Sequence, residues 1–292
     1  MNQISFLSED VLENVAAYYT TIIVEGDNKH HKNQNIIFVD QDSKYSLDAV
    51  VSHYCHQDGN VLVIMGTSSI DQILLATQDH CNITILNTAA GLSAFGTRGT
   101  WDHGDLNKAM SYGFEVYDPY CIENLMQKLS TPWNKRYIRT NTHLLSADQY
   151  PTLKAESKQA DLYNLKWLGF SGSHGTLLGL WSSILDLFHA NTLLQEKWEL
   201  MDCFVCTRSD IVFCESLIAS IRETEHLWII ADQHNNPLWE QNIKAKLWDL
   251  GLFETDIHII WPRLGKVTSF LDEYVYEQAE FDGPGIAGRI VG

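Results

Sequence analysis

Short apolar runs alternate with helix-like stretches over most of the chain. The runs TIIVE (Thr21–Glu25), IIFVD (Ile36–Asp40), NVLVIM (Asn60–Met65), NITIL (Asn82–Leu86) and FEVYD (Phe114–Asp118) predict strands. Between them, Glu9–Tyr19, Ser46–His56, Ser69–Gln78 and Ile122–Leu129 predict helices. The alternation points to a mostly parallel sheet covered on both faces, in a first domain over residues 1–142. Residues 143–166 are polar and aperiodic and read as a linker. A strand at Lys166–Phe170 then meets the turn Ser171-Gly172-Ser173, and an amphipathic helix is expected through about Ala190. The strand Asp202–Cys206, helix Asp210–Arg222, strand His226–Asp232, helix Leu238–Leu250 and strand Asp256–Trp261 complete a second open sheet. The expected architecture is therefore two consecutive three-layer α/β domains, the second over residues 167–292.

Composition narrows the range of functions. The chain has 292 residues, 45% hydrophobic and 20% charged, enough to give two medium domains real cores. A formal net charge of −17 argues against nucleic acid and against anionic membranes, both of which select clustered Lys and Arg. No stretch is long and apolar enough to span a bilayer. The start, MNQISFLSED, lacks the basic and apolar runs of a secretion signal. Six cysteines in a chain of this length do not make a disulfide framework, so a reducing cytoplasm is expected. Nine Trp and twelve Tyr suit an obligate subunit.

Candidate chemistry concentrates in Ala90–Arg139. After the strand ITIL (Ile83–Leu86) comes a Gly-rich loop, Ala90–Gly104, opening on AGLS and closing on His103-Gly104. A short helical stretch, the strand FEVYDP, a helix and YIR (Tyr137–Arg139) follow. In order and spacing this segment resembles the pyrimidine-binding domain of transketolase and its relatives, the C-terminal half of a thiamin diphosphate enzyme. The second block is similar to the C-terminal domain of the same family. It opens on a strand and a Gly-Ser turn, and WIIADQH (Trp228–His234) stands where relatives carry V-x-V-E-x-H, with Asp232 replacing Glu. It closes on SFLDEYVYEQAEFDGPGIAGRIVG.

The resemblance implies an active site shared between two chains. Relatives bind Mg²⁺ and the cofactor diphosphate through a GDG-type motif followed by Asn, which this sequence does not contain. It therefore implies a separate N-terminal diphosphate-binding subunit holding Mg²⁺, thiamin diphosphate at the interface, and a sugar or sugar phosphate substrate. The hetero-oligomer would have a dimeric core. His103 matches the family His beside the reactive carbon, where an imidazole moves substrate protons. Arg139 matches the Arg that holds a substrate phosphate by bidentate hydrogen bonds. Asp27, in EGDN, and Asp71, in Asp71-Gln72-Ile73, match positions at the cofactor cleft.

Two family features are missing. The Glu that protonates the pyrimidine ring aligns with Tyr45, and no Glu occurs between Gly26 and Glu115. The aromatic loop that stacks on the ring is reduced to MGTSS, Met65–Ser69. The leading reading is the C-terminal subunit of a split transketolase-like enzyme that moves a two-carbon ketol unit. The alternatives are the beta subunit of a 2-oxo-acid dehydrogenase-type decarboxylase, a catalytically degenerate regulatory subunit, or a small-molecule binding protein.

Simpler readings exist for single residues. Asp27 and Asp71 suit a turn and a helix cap. Cys203-x-x-Cys206 lies in an apolar run, where Cys acts as a small hydrophobe, and no second ligand set completes a metal site. His30-His31 reads as solvated loop, and Gly172-Ser173-His174 as a strand-to-helix turn.

Overall fold

The apolar runs of the first half become strands of one parallel sheet. The computed structural model of the chain describes residues 9–26, 34–40, 44–55, 59–65, 73, 77, 82–90, 113–116, 126–127, 136–141, 166–167, 174–180, 184–206, 211–231, 237–263 and 276–292. The described residues up to Asn141 form one unit and those from Lys166 onward another. The first contains α1 (Glu9–Ala16), β1 (Thr21–Glu25), β2 (Ile36–Val39), α2 (Leu47–Cys55), β3 (Asn60–Met65), β4 (Asn82–Ala90), β5 (Gly113–Val116) and β6 (Arg136–Asn141). Its six strands run in the order β2-β1-β3-β4-β6-β5, every pair parallel.

A parallel strand inside such a sheet is covered on both faces and is apolar without alternation. Ile22, Ile23, Val24 and Val61–Met65 are accordingly buried throughout. Each such side chain contributes roughly 1.5–3 kcal/mol relative to exposure. The chain leaves β4, forms β5 at the edge, and returns to insert β6 between the two. One extra residue on β4 breaks its register with β6 between Asn87 and Ala90. Cys55 is disulfide-bonded, while Cys203, Cys206 and Cys214 are free. The chain thus carries at least one bridge, although the cysteine count argued against a framework.

The second unit contains β7 (Lys166–Trp167), β8 (Gly175–Leu180), α3 (Ile184–Glu196), β9 (Met201–Cys206), α4 (Glu215–Thr224), β10 (His226–Ala231), α5 (Pro237–Asp249), β11 (Asp256–Ile260) and α6 (Gly283–Val291). The order is β11-β10-β8-β9-β7, parallel except for β7, which is antiparallel to β9. One face packs Leu178, Leu180, Phe204, Cys206, Leu227 and Ile229 against α4 and α5. The other carries α3, whose Leu187 lies over Gly179, and α6 packs along α3. The second unit is a three-layer α/β arrangement, and the chain is an α/β protein of two units.

One sequence expectation is overturned here. The stretch after the Ser-Gly turn is a strand first, and the helix starts only at Ile184. All six residues of β8 are buried because β9 and β10 flank it and helices cover both faces. Its glycines make room for neighbours. A Cβ on Gly175 would stand 2.3 Å from the Trp228 ring, and one on Gly179 would stand 2.4 Å from Leu187 Cδ2. The helix expected from Asp210 also begins later, at Glu215, with Cys214 as its N-cap.

Candidate functional site

The strand order of the first unit reverses between β1 and β3, since β2 lies on one side of β1 while β3 and β4 lie on the other. In open parallel sheets ligands bind outside the carboxyl ends of the strands at such a reversal. In the sequence, four of the five candidate residues come after strands of this sheet. Asp27 follows β1, Tyr45 lies between β2 and α2, Asp71 follows β3, and His103 follows β4. Arg139 is within β6 itself. His103, Asp27 and Asp71 lie outside the described residues.

Gly26 shapes the exit from β1. Its φ is 141°, and its N–H donates to Val39 O at 2.9 Å, turning the chain toward β2. A side chain there is strained whatever the space around it. Gly26→Ala should destabilise the chain by about 1–3 kcal/mol, read as a lower thermal midpoint. An unchanged midpoint would show that the turn has another solution.

Arg139 stands in register with Asn87 of β4 and Glu115 of β5. The register break on β4 comes directly after that pair. Bulges of this sort re-aim residues at sheet rims and beside active sites.

Among the positions tied to the cofactor, Tyr45 has a described side chain. It is 60% exposed, with Lys44 Nζ 5.5 Å from its ring centroid. A solvated phenol is not a buried carboxylate. Tyr45 therefore does not fit the role of protonating the pyrimidine ring, and no described residue is assigned to that role. Among the described residues no group of three His, Cys, Asp or Glu side chains is placed to hold a metal ion. No helix among them is long and apolar enough to cross a membrane.

The CxxC motif resolves as core. Cys203 and Cys206 are both buried in β9. An odd separation along a strand sends them to opposite faces. Burial, with Asp202 adding to it, pushes the Cys203 thiol up to about 12, which keeps it neutral. His174 sits at the turn before β8, where its N–H donates to Leu200 O and its Nδ1 accepts from Leu200 N–H.

The second unit also holds charged and polar groups that the sequence did not single out. Asp186, in the first turn of α3, has its carboxyl pKa raised to about 7 by burial first and by Asp282 second, while a backbone hydrogen bond opposes the rise. Asp282 caps α6, accepting from Gly285 N–H at 3.0 Å. Arg289 donates to Trp261 O at 2.7 Å and Arg263 pairs with Glu280. Burial and the neighbouring Arg263 lower the Arg289 pKa, and Glu280 opposes them. Beneath α4 a buried set joins Asp202, Ser220, Thr176 and Thr224 through hydroxyl contacts of 2.6–3.0 Å. An Asp in a helix's first turn and the Asp-Gly-Pro-Gly cap were visible locally. Their pairing across the fold was not.

No family model and no curated protein matches the sequence. Solved structures do. One described as a split gene transketolase, inactive beta4 tetramer, superposes with a TM-score of 0.65 at 11% identity, covering 93% of this chain and 91% of that one. A transketolase from Campylobacter jejuni subsp. jejuni NCTC 11168 gives 0.65 at 9% identity, covering 95% of this chain and 45% of that one. The chain thus spans under half of the second protein. At such identities the likeness establishes a transketolase-like fold.

Proposed function

We propose that this chain is the C-terminal-type subunit of a split transketolase-like assembly, completed by a separate subunit that binds the cofactor diphosphate. The observation that carries the reading is topological. A chain of transketolase-like fold has a first sheet whose strand order reverses between β1 and β3, the kind of place where open parallel sheets bind ligands. Coverage of nearly all of a split-gene neighbour, against 45% of the other transketolase, supports a divided site.

In this reading Arg139 holds an anionic group of the substrate and His103 moves its hydroxyl protons. Asp27 and Asp71 line the cofactor cleft. Thiamin diphosphate, when bound, supplies the carbanion chemistry of ketol transfer, with Mg²⁺ held by the partner. Substrates are sugars or sugar phosphates, and the assembly is a hetero-oligomer. Tyr45 favours a second reading, a catalytically degenerate subunit that stabilises an active partner, because its exposed phenol cannot replace a buried carboxylate.

Calorimetric titration of the co-expressed subunits with thiamin diphosphate and Mg²⁺ separates the two. Saturable binding that needs both chains and weakens when Asp27 and Asp71 are replaced supports the enzyme. A stable complex without binding leaves the degenerate subunit.

A further inference from the structure

β11 is the end strand of its sheet, and β10 is its described neighbour. Asp256 N–H donates to Glu225 O at 2.9 Å, so Asp256, His258 and Ile260 turn their backbone groups toward β10. Ile257 and Ile259 then turn theirs outward, because the bonding direction alternates along a strand. Native edge strands are normally blunted by Lys, Pro, a bulge or a covering element. The sequence DIHII has no Lys or Pro, and three of its five residues are isoleucine. Asp256 and His258 side chains are 58% and 48% exposed. By contrast β2, one of the two edge strands of the other sheet, has no exposed residue.

We propose that β11 pairs antiparallel with β11 of a second copy of this chain, centred on Ile257, so that the two five-stranded sheets join into one. A two-fold axis at Ile257 makes the two Ile257 residues a hydrogen-bonded pair, as their outward backbone groups require. It also sets Asp256 directly opposite the second copy's His258, and His258 opposite its Asp256. An imidazole N–H facing a carboxylate across a ladder can donate a hydrogen bond to it, whereas two carboxylates facing each other destabilise the ladder. Centring on Asp256 or on His258 would set like against like. Within one chain Asp256 Oδ2 lies 2.9 Å from His258 Nε2 and 3.7 Å from His226 Nδ1. Joining two copies extends this into a ladder of alternating character.

Trp228 backs the ladder, stacked on His258 with centroids 5.3 Å apart and planes 18° apart. A two-fold axis normal to the sheet keeps like faces together, so the two α5 helices share a face. Trp248 on each α5 and Phe253 in the turn after it, 69% and 60% exposed and with ring centroids 5.5 Å apart, give the joined sheet apolar surface to cover.

Sedimentation of the full chain tests this, alongside Asp256→Lys, His258→Glu and the double variant. The wild type should dimerise at tens of micromolar, each single change should weaken the dimer about ten-fold or more, and the double should return to within about three-fold. Ile257→Pro removes an outward N–H and no bond to β10, and should also give monomer. A monomeric wild type overturns the proposal. So does a dimer that all four variants leave intact.

Discussion

Asp186→Asn should raise the chain's stability at about pH 8 by as much as ~4 kcal/mol and change it little near pH 4. The folded-state pKa of about 7 lies above the ordinary value of 3.8, so folding disfavours the charged form. Below the lower value both states hold the proton and nothing is lost. Between the two, only the folded state keeps it, and stability falls as pH rises. Above about 7 the whole penalty applies, about 1.4 kcal/mol for each ten-fold difference in proton affinity between the folded and unfolded chain, before relaxation. The cause is local. Asp186 is desolvated at the start of α3 beside Asp282, which caps α6, and His189 one turn on packs its ring against Gly283. Asn keeps an acceptor for the backbone hydrogen bond and cannot ionise. Thermal melts of both proteins across this pH range should diverge upward from the acid end. Parallel curves would show that Asp186 is solvated as freely folded as unfolded.

Ser220→Ala should cost about 2–3 kcal/mol in urea denaturation, more than its lost volume explains. Ser220 Oγ donates to Asp202 Oδ2 at 2.6 Å and lies 2.6 Å from Thr176 Oγ1, all three residues being buried. Thr176 Oγ1 is in turn 3.0 Å from Thr224 Oγ1, whose hydroxyl also reaches Ser220 O. The substitution takes a donor from a buried carboxylate and unsettles a hydroxyl chain that ties α4 to β8 and β9. Buried polar groups cost most when half satisfied. Thr176→Val added to Ser220→Ala should therefore cost less than the sum of the two single changes. Strict additivity would mean the hydroxyls act independently.

Five of the six strands of the first unit were legible because each contains a short apolar run between polar turns, whereas β6, RYIRTN, is mostly polar and was not among the strands expected. β9, β10 and β11 were legible for the same reason. β8 was not. GTLLGL runs straight on into WSSILDLF, and a strand buried on both faces has no alternation to distinguish it from a buried helix. What decides it is tertiary, because only glycine lets Trp228 and Leu187 lie against the strand. At the site, the sequence showed that Tyr45 brings no carboxylate, and the structure adds that the ring stands in solvent. Asp186 and Asp282 could not be paired in advance, since one begins α3 and the other begins the final helix. Their interaction exists only once α6 docks.

The late insertion of β6 bears on how the protein is made. As a ribosome releases the chain, β1 to β4 can assemble in turn, but β5 has no strand to join, because β6 is its partner in the sheet. β4 likewise keeps an open edge until Arg136–Asn141 emerges. A nascent chain stalled short of that point would carry four of the six strands with a bare apolar rim, the kind of species that chaperones attend. Completion of the first unit is thus timed by the arrival of the strand that carries Arg139.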